Sequence, residues 1–182
     1  KRKIRLHNII LRRLRIKEMS RKLTFIRQSE DEEIKQSGLH LDLDEIAKKG
    51  ALSSRDASIA KWYGFYKSRQ PGNHMVRVVI PGGIITSAQA RNLAGISERY
   101  AQGIINVTTR QALQLHWLKI GNLADVIREL ESAGNSAFHG CGDVARIIPA
   151  CSLADTCQYA RFNVRPLATE TQEYLGSCRE LD

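Results

Sequence analysis

The stretch MVRVVIPGG, residues 75–83, sets the terms for the whole chain. Met75–Ile80 is β-branched and reads as a strand. It stops at Pro81-Gly82-Gly83, where proline cannot continue a ladder and two glycines favour a turn. In its middle stands Arg77, a permanent charge among valines. Alternation alone would make Arg77 an outward residue on a half-exposed strand. Two more segments repeat the arrangement: NVTTRQALQLH at 106–116 and CGDVARIIPAC at 141–151 set Arg110 and Arg146 beside turn-forming or small residues. A guanidinium offers a planar fork of donors suited to carboxylates and oxyanions. Three of them converging would form a pocket for a strongly anionic group.

Reading outward, Trp62-Tyr63-Gly64-Phe65-Tyr66 resembles a short buried strand, divided from the next by the turn residues Gln70–Asn73. Beyond Gly83, Thr86 or Ser87 caps a helix to about Ala101, with Ala90, Leu93, Ala94 and Ile96 facing a sheet. Gly103–Val107 and Ala112–Ile120 read as two further strands. Asn122 then caps a helix through Ala133 with the stripe Leu123, Val126, Ile127 and Leu130, and Gly134 ends it. The order ββαββα, with helices on one face of an antiparallel sheet, is an α+β fold of ferredoxin-like type. This half-domain occupies residues 61–134. Residues 23–60 form a polar leader with a short helical stripe (Leu43, Ile46, Ala47) that stops at Gly50. Residues 135–182 are rich in Gly, Cys and Pro; they read as the start of a second, truncated α+β domain.

The formal net charge of +9 is concentrated at one end. Residues 1–22 hold ten basic side chains and one acidic, leaving 18 of each sign in 23–182. This basic arm has three readings: an amphipathic helix on a membrane or nucleic acid, a serine-poor transit peptide, or in-frame sequence ahead of a true start at Met19. The last is favoured, so the arm supports no function, and neither nucleic acid nor membrane is expected as a partner. No apolar run approaches the roughly 20 residues of a membrane span. Four cysteines, Cys141, Cys151, Cys157 and Cys178, lie late in the chain without a secretory signal, which favours reduced thiols and a cytoplasmic location.

With these segments placed, the chain resembles the nitrite and sulfite reductase haemoproteins over about residues 58–180. The resemblance rests on Lys61–Tyr66, Asn73–Arg77 leading to Ile80–Gly83, Thr108–Gln111 with Gln114 and His116, and Gly142–Arg146, all in family order. Cys151 with Leu153-Ala154 echoes a Cys-Pro-Leu-Ala run in which Ser152 replaces proline. The resemblance implies a six-electron reduction of nitrite to ammonia or sulfite to sulfide, with ferredoxin as donor. It also implies sirohaem coupled to a four-iron four-sulfur cluster. Sirohaem bears eight carboxylates; by the family pattern Arg110 pairs with them, with Thr108, Thr109, Gln111 and Gln114 as polar neighbours and His116 nearby. Arg77 and Arg146 match the arginines that hold the substrate anion. Ile147 stands where the family often has Asn, and the family's lysine pair would fall after Asp182.

Cys151 and Cys157 share a C-x₅-C spacing with the family's first pair of cluster ligands. A cluster needs four thiolates, and the second pair has no counterpart here. The two are read instead as buried or pocket-lining thiols, and the cluster ligands are expected outside this chain. Gly82-Gly83 before a helix lacks any complete phosphate-loop motif and reads as a tight turn. Two rivals remain: a precorrin-modifying enzyme of the same superfamily, and a ferredoxin-like RNA-binding module using the basic arm. Candidate strands 103–107 and 112–120 offer such a module Trp117 as their sole stacking aromatic.

Overall fold

The computed structural model describes residues 32–34, 36, 40–141 and 146–177. The chain divides into the units Lys1–Leu39 and His40–Asp182. The basic arm, Cys178 and residues 142–145 lie outside the described residues.

Helix α1 (Leu43–Lys49) starts at Asp42, whose side chain accepts from the Glu45 N–H, and ends at the expected Gly50 in the left-handed region. Helix α2 (Ser54–Trp62) was not foreseen. A capping box between Ser53 and Asp56 opens it, and Ile59, Ala60 and Trp62 are buried. Trp62 therefore closes a helix instead of opening a strand. Strand β1 is shorter than expected, Phe65–Lys67, because Gly64 with φ 69° makes the corner between the two elements.

Strand β2 (His74–Val78) pairs with β1 and with β4 (Leu113–Leu118), and β3 (Ile105–Val107) pairs with β4. All pairings are antiparallel, in the order β1-β2-β4-β3. Phe65, Val76, Leu115 and Ile105 lie in one cross-strand row, while Arg77, Gln114 and Asn106 lie in a row on the opposite face. The register slips by one residue between His74 and Val76, and Trp117 takes φ 60° there. This bulge lets Leu115 and Leu118, three apart, both be buried, which strict alternation would forbid.

Helices α3 (Ser87–Tyr100) and α4 (Leu123–Ser132) cover the Val76–Leu115 face and pack on each other. Thr86 and Gln89 form a capping box at the start of α3. Leu93, Ile96 and Ser97 are its buried residues, whereas Ala90 and Ala94, expected to face the sheet, are exposed. Polar contacts to α4 turn the helix: Asn92 Nδ2 donates to the Glu129 carbonyl at 3.0 Å, and Tyr100 Oη donates to its carboxylate at 3.0 Å. On α4 the expected stripe Leu123, Val126, Ile127 and Leu130 is buried. Asn122 precedes the helix without a side-chain cap; a 3₁₀ turn, Ile120–Asn122, leads in instead. Gly134 turns left-handed and the Asn135 N–H reaches back to the Leu130 carbonyl at 2.9 Å. A further helix, α5 (Arg165–Ser177), is legible only in the structure and packs against the Pro81–Gly83 turn.

The free edge of β2 is covered by backbone after β1 ends. The Arg77 N–H donates to Gly64 O at 2.8 Å, and the Val79 N–H donates to Ser136 O at 2.7 Å. Gly64 and Gly140 both close on the Arg77 carbonyl. A Cβ on Gly64 would lie 2.4 Å from Ala137 O and 2.7 Å from Arg77 O, and one on Gly140 would lie 2.4 Å from Arg77 O. Gly140→Ala is therefore expected to destabilise the fold by at least about 2 kcal/mol in urea unfolding; an unchanged midpoint would show that this approach is not tight. His74, stacked on Phe65 at 5.0 Å, is pushed to a lower pKa chiefly by burial, against the opposing pull of a hydrogen bond with the Leu118 backbone. Below the ordinary histidine value of about 6.5, the unfolded chain takes a proton that the folded chain resists. Stability should thus fall as pH drops from neutral through the lowered folded-state pKa, and His74→Phe should give a shallower fall.

Candidate functional site

Three different elements deliver the three arginines. Arg77 points away from the helices because its neighbours Val76 and Val78 fill the core. Its cross-strand partner is Gln114. The Gln114 amide, turned with its oxygen toward the guanidinium, accepts from Arg77 Nη2 at 2.8 Å and Nε at 3.1 Å. On the other side Arg77 Nη1 donates to Cys141 Sγ at 2.7 Å and to Gly140 O at 3.4 Å. The Tyr66 ring lies 5.8 Å from Arg77 Cζ, within cation–π range. One fork is thus held from three directions.

Arg110 stands in the turn joining β3 to β4. The Thr108 N–H donates to Ala112 O at 2.9 Å, and the Thr108 hydroxyl accepts from the Ala112 N–H at 3.1 Å. Gln111 closes the turn with φ 57°. Arg110 Nη2 then reaches Ile147 O at 3.4 Å.

Arg146 begins an irregular segment, 146–150, that is held by side chains instead of a regular ladder. The Gly82 N–H donates to Ile148 O at 3.1 Å, and Gln172 Oε1 on α5 accepts from the Ile148 N–H at 2.8 Å. Gln111 grips Ala150 at both ends: its Nε2 donates to the carbonyl at 2.5 Å and its Oε1 accepts from the N–H at 2.8 Å. Ile147, the residue that departs from the family's Asn, is buried with Val79 and Ala112.

Arg77, Arg110 and Arg146 meet at a cavity of about 230 Å³, with Thr108, Thr109, Gln114, Gly140 and Ile147 completing its described wall. No carboxylate is among those residues. Burial, and then the positive charges of Arg146 and Arg110, press the Arg77 pKa below the usual guanidinium value. Arg77 remains a cation at neutral pH, since a guanidinium does not deprotonate in this range. The arrangement concentrates three guanidinium forks at one cavity, so it suits an anion.

Six of the eight residues singled out from the sequence line this cavity; Gln111 and His116 do not. His116 is half-buried and edge-on to Trp117 at 5.7 Å, and burial holds its pKa down. Of the two thiols expected to be buried or pocket-lining, Cys151 is exposed and Cys157 is partly exposed. Among the described residues, no group of three or more His, Cys, Asp or Glu gathers to hold a metal. A second cavity, of about 290 Å³, lies beside the Tyr63–Phe138 aromatic pair; Glu131 is its one charged described lining residue. Sequence reading missed Tyr66, Gly140 and Cys141 as the surroundings of Arg77, and Gln172 as a support of the Arg146 segment. Each is brought in from at least eleven residues away in the chain, so local pattern carries no signal for it.

Residues 66–133 match the family described as the nitrite/sulfite reductase ferredoxin-like half domain. The chain is 30% identical over 149 residues to "Sulfite reductase [ferredoxin] 2" of Mycolicibacterium paratuberculosis, covering 68% of this chain and 27% of that protein. It is 31% identical over 139 residues to "Ferredoxin–nitrite reductase" of Leptolyngbya laminosa, covering 74% of this chain and 27% of that protein. Among solved structures, the Mycobacterium tuberculosis NirA protein superposes with a TM-score of 0.70 at 26% identity, over 81% of this chain and 32% of that one. The chain spans about a quarter of the length of these curated relatives. The ββαββα sheet and these matches together show that the chain carries, over residues 66–133, the ferredoxin-like half domain of the nitrite and sulfite reductase family.

Proposed function

We propose that this chain supplies anion-binding arginines to a sirohaem-dependent nitrite or sulfite reductase, a cytoplasmic enzyme that takes electrons from ferredoxin. The observation that carries this reading is the meeting of Arg77, Arg110 and Arg146 at one cavity. Three like charges repel one another, and burial deepens the penalty on Arg77. An anion placed among them removes that penalty. The donor assignment rests on the names of the two relatives described above, both of which specify ferredoxin.

The residues fit a polycarboxylate tetrapyrrole in kind. Arg110, Thr108 and Thr109 sit together at the tip of the β3–β4 turn and offer a guanidinium fork and two hydroxyls to carboxylates. The cavity admits a small oxyanion or the carboxylated rim of a larger group; its volume is too small for a whole tetrapyrrole. When bound, sirohaem supplies the iron and the conjugated ring through which electrons reach the substrate. The iron–sulfur cluster is a different matter, because the described residues provide no ligand set for it.

Arg77 and Arg146 are assigned to the substrate anion. With Nε, Nη1 and Nη2 each engaged by Gln114, Cys141 or Gly140, Arg77 keeps a fixed direction before any anion arrives. Fixed donors aimed at developing negative charge need no reorganisation during reaction. As a substrate oxyanion gains electrons, its growing charge is held by these guanidiniums until protons arrive. Gln111 has both ends of its amide engaged by Ala150, so it contributes by holding the wall, and His116 contributes as a neutral neighbour.

The direct test is titration of the purified full chain with sulfite, nitrite and uroporphyrin III, a tetrapyrrole with eight carboxylates. Arg77→Ala and Arg146→Ala should each weaken sulfite and nitrite binding about tenfold, the loss expected for one charge-assisted hydrogen bond. Arg110→Ala should act mainly on uroporphyrin. Binding unchanged in all three variants would sink the reading. Arg77→Lys should recover little affinity, because a single ammonium cannot bridge Gln114 and Cys141 while also reaching the anion.

A further inference from the structure

The described residues 146–150 have no regular secondary structure, yet they are tied down along their length. Ile148 is held through both of its backbone groups, by the Gly82 N–H on its carbonyl at 3.1 Å and by Gln172 Oε1 on its N–H at 2.8 Å. Ala150 is held through both of its groups by the single Gln111 amide, at 2.5 and 2.8 Å. Between Arg146 and Ile148, the Ile147 side chain is buried against Val79 and Ala112. The two glutamines act here as a strand's backbone would, each presenting an amide where a neighbouring ladder is missing.

Gln172 is a notable choice for this task. It is one of only two buried residues on α5, at 7% exposure, the other being Ala168. Ala168 lies against Gly82, so α5 grips the Pro81–Gly83 turn and segment 146–150 together. A buried amide in a mostly exposed helix carries a desolvation cost that an apolar residue would avoid. Its hydrogen bond to Ile148, two residues from Arg146, gives it a reason to be there.

We propose that Gln172 and Gln111 are positioning residues for Arg146: they touch no anion, and they determine where its guanidinium stands relative to Arg77 and Arg110. The inference rests on the anion-site reading above. Charge-assisted hydrogen bonds weaken steeply as distance and angle depart from ideal, so losing one of these amides should be felt at the anion although it lies outside the cavity.

The experiment uses the purified full chain and sulfite as the probe, with the ¹H–¹⁵N signal of the Arg146 side-chain Nε followed by NMR. Gln172→Met keeps the chain length and removes the acceptor. It should shift the Arg146 signal and weaken sulfite binding about tenfold. Gln172→Glu restores an acceptor oxygen at the same length and should return both readouts to near wild type, which a purely bulk or packing role would not do. Gln111→Met makes the same lesion from a different element, and it carries the test if Gln172→Met does not fold. If Arg146→Ala weakens binding while both methionine variants bind like wild type, the positioning role is wrong and the anion site stands. Failure of Gln172→Glu to rescue likewise overturns the role. If wild type binds no sulfite, or Arg146→Ala binds it unchanged, the anion-site reading fails and this inference goes with it.

Discussion

Gathering three guanidiniums at one cavity is the constraint on which the rest of this structure depends. Like charges brought together in a partly buried place repel, and the lowered pKa of Arg77 records both the burial and the repulsion. Nothing local in the chain would hold such an arrangement. It persists because each arginine is fixed by something other than its charge: Arg77 by Gln114, Cys141 and the Gly140 carbonyl, Arg110 by a tight hairpin turn, Arg146 by a segment clamped at Ile148 and Ala150. Packing and hydrogen bonds help to offset the cost of assembling the charges.

The sheet prepares this in a simple way. Because Val76 and Val78 fill the helix-covered face, Arg77 must emerge on the other, where the register sets Gln114 directly opposite. The glycines at 64 and 140 then allow two other stretches of backbone to press against Arg77, closer than any Cβ would permit. The irregular 146–150 segment meets this rigid platform through side-chain amides. A ladder would demand a straight strand there, and amides allow the chain to bend and still leave few polar groups unmet.

Much of this was legible beforehand. The ββαββα order, the α4 stripe and the Thr86 cap follow from local periodicity and capping chemistry, which depend on residues only a few positions apart. The reading failed where a long-range contact overrode local pattern. Trp62 looked like strand and closes a helix; Ala90 and Ala94 looked inward and are exposed because Asn92 and Tyr100 turn α3 toward Glu129. Helix α5 went unseen, since its buried positions are an alanine and a glutamine, a pattern without apolar periodicity.

What the amino-acid sequence by itself determined is the order of the elements and which residue types carry charge within them, because propensity, period and capping act over a few residues. The resemblance of its motifs to one enzyme family was also readable at that level. Only the tertiary structure decided that Arg77, Arg110 and Arg146 share a cavity, that Gln111 and His116 stand outside it, and that Gln172 supports it. Those facts depend on sheet register, a one-residue bulge at Trp117 and backbone contacts at Gly64 and Gly140. Register and close packing are properties of the assembled core, and no window along the chain contains them.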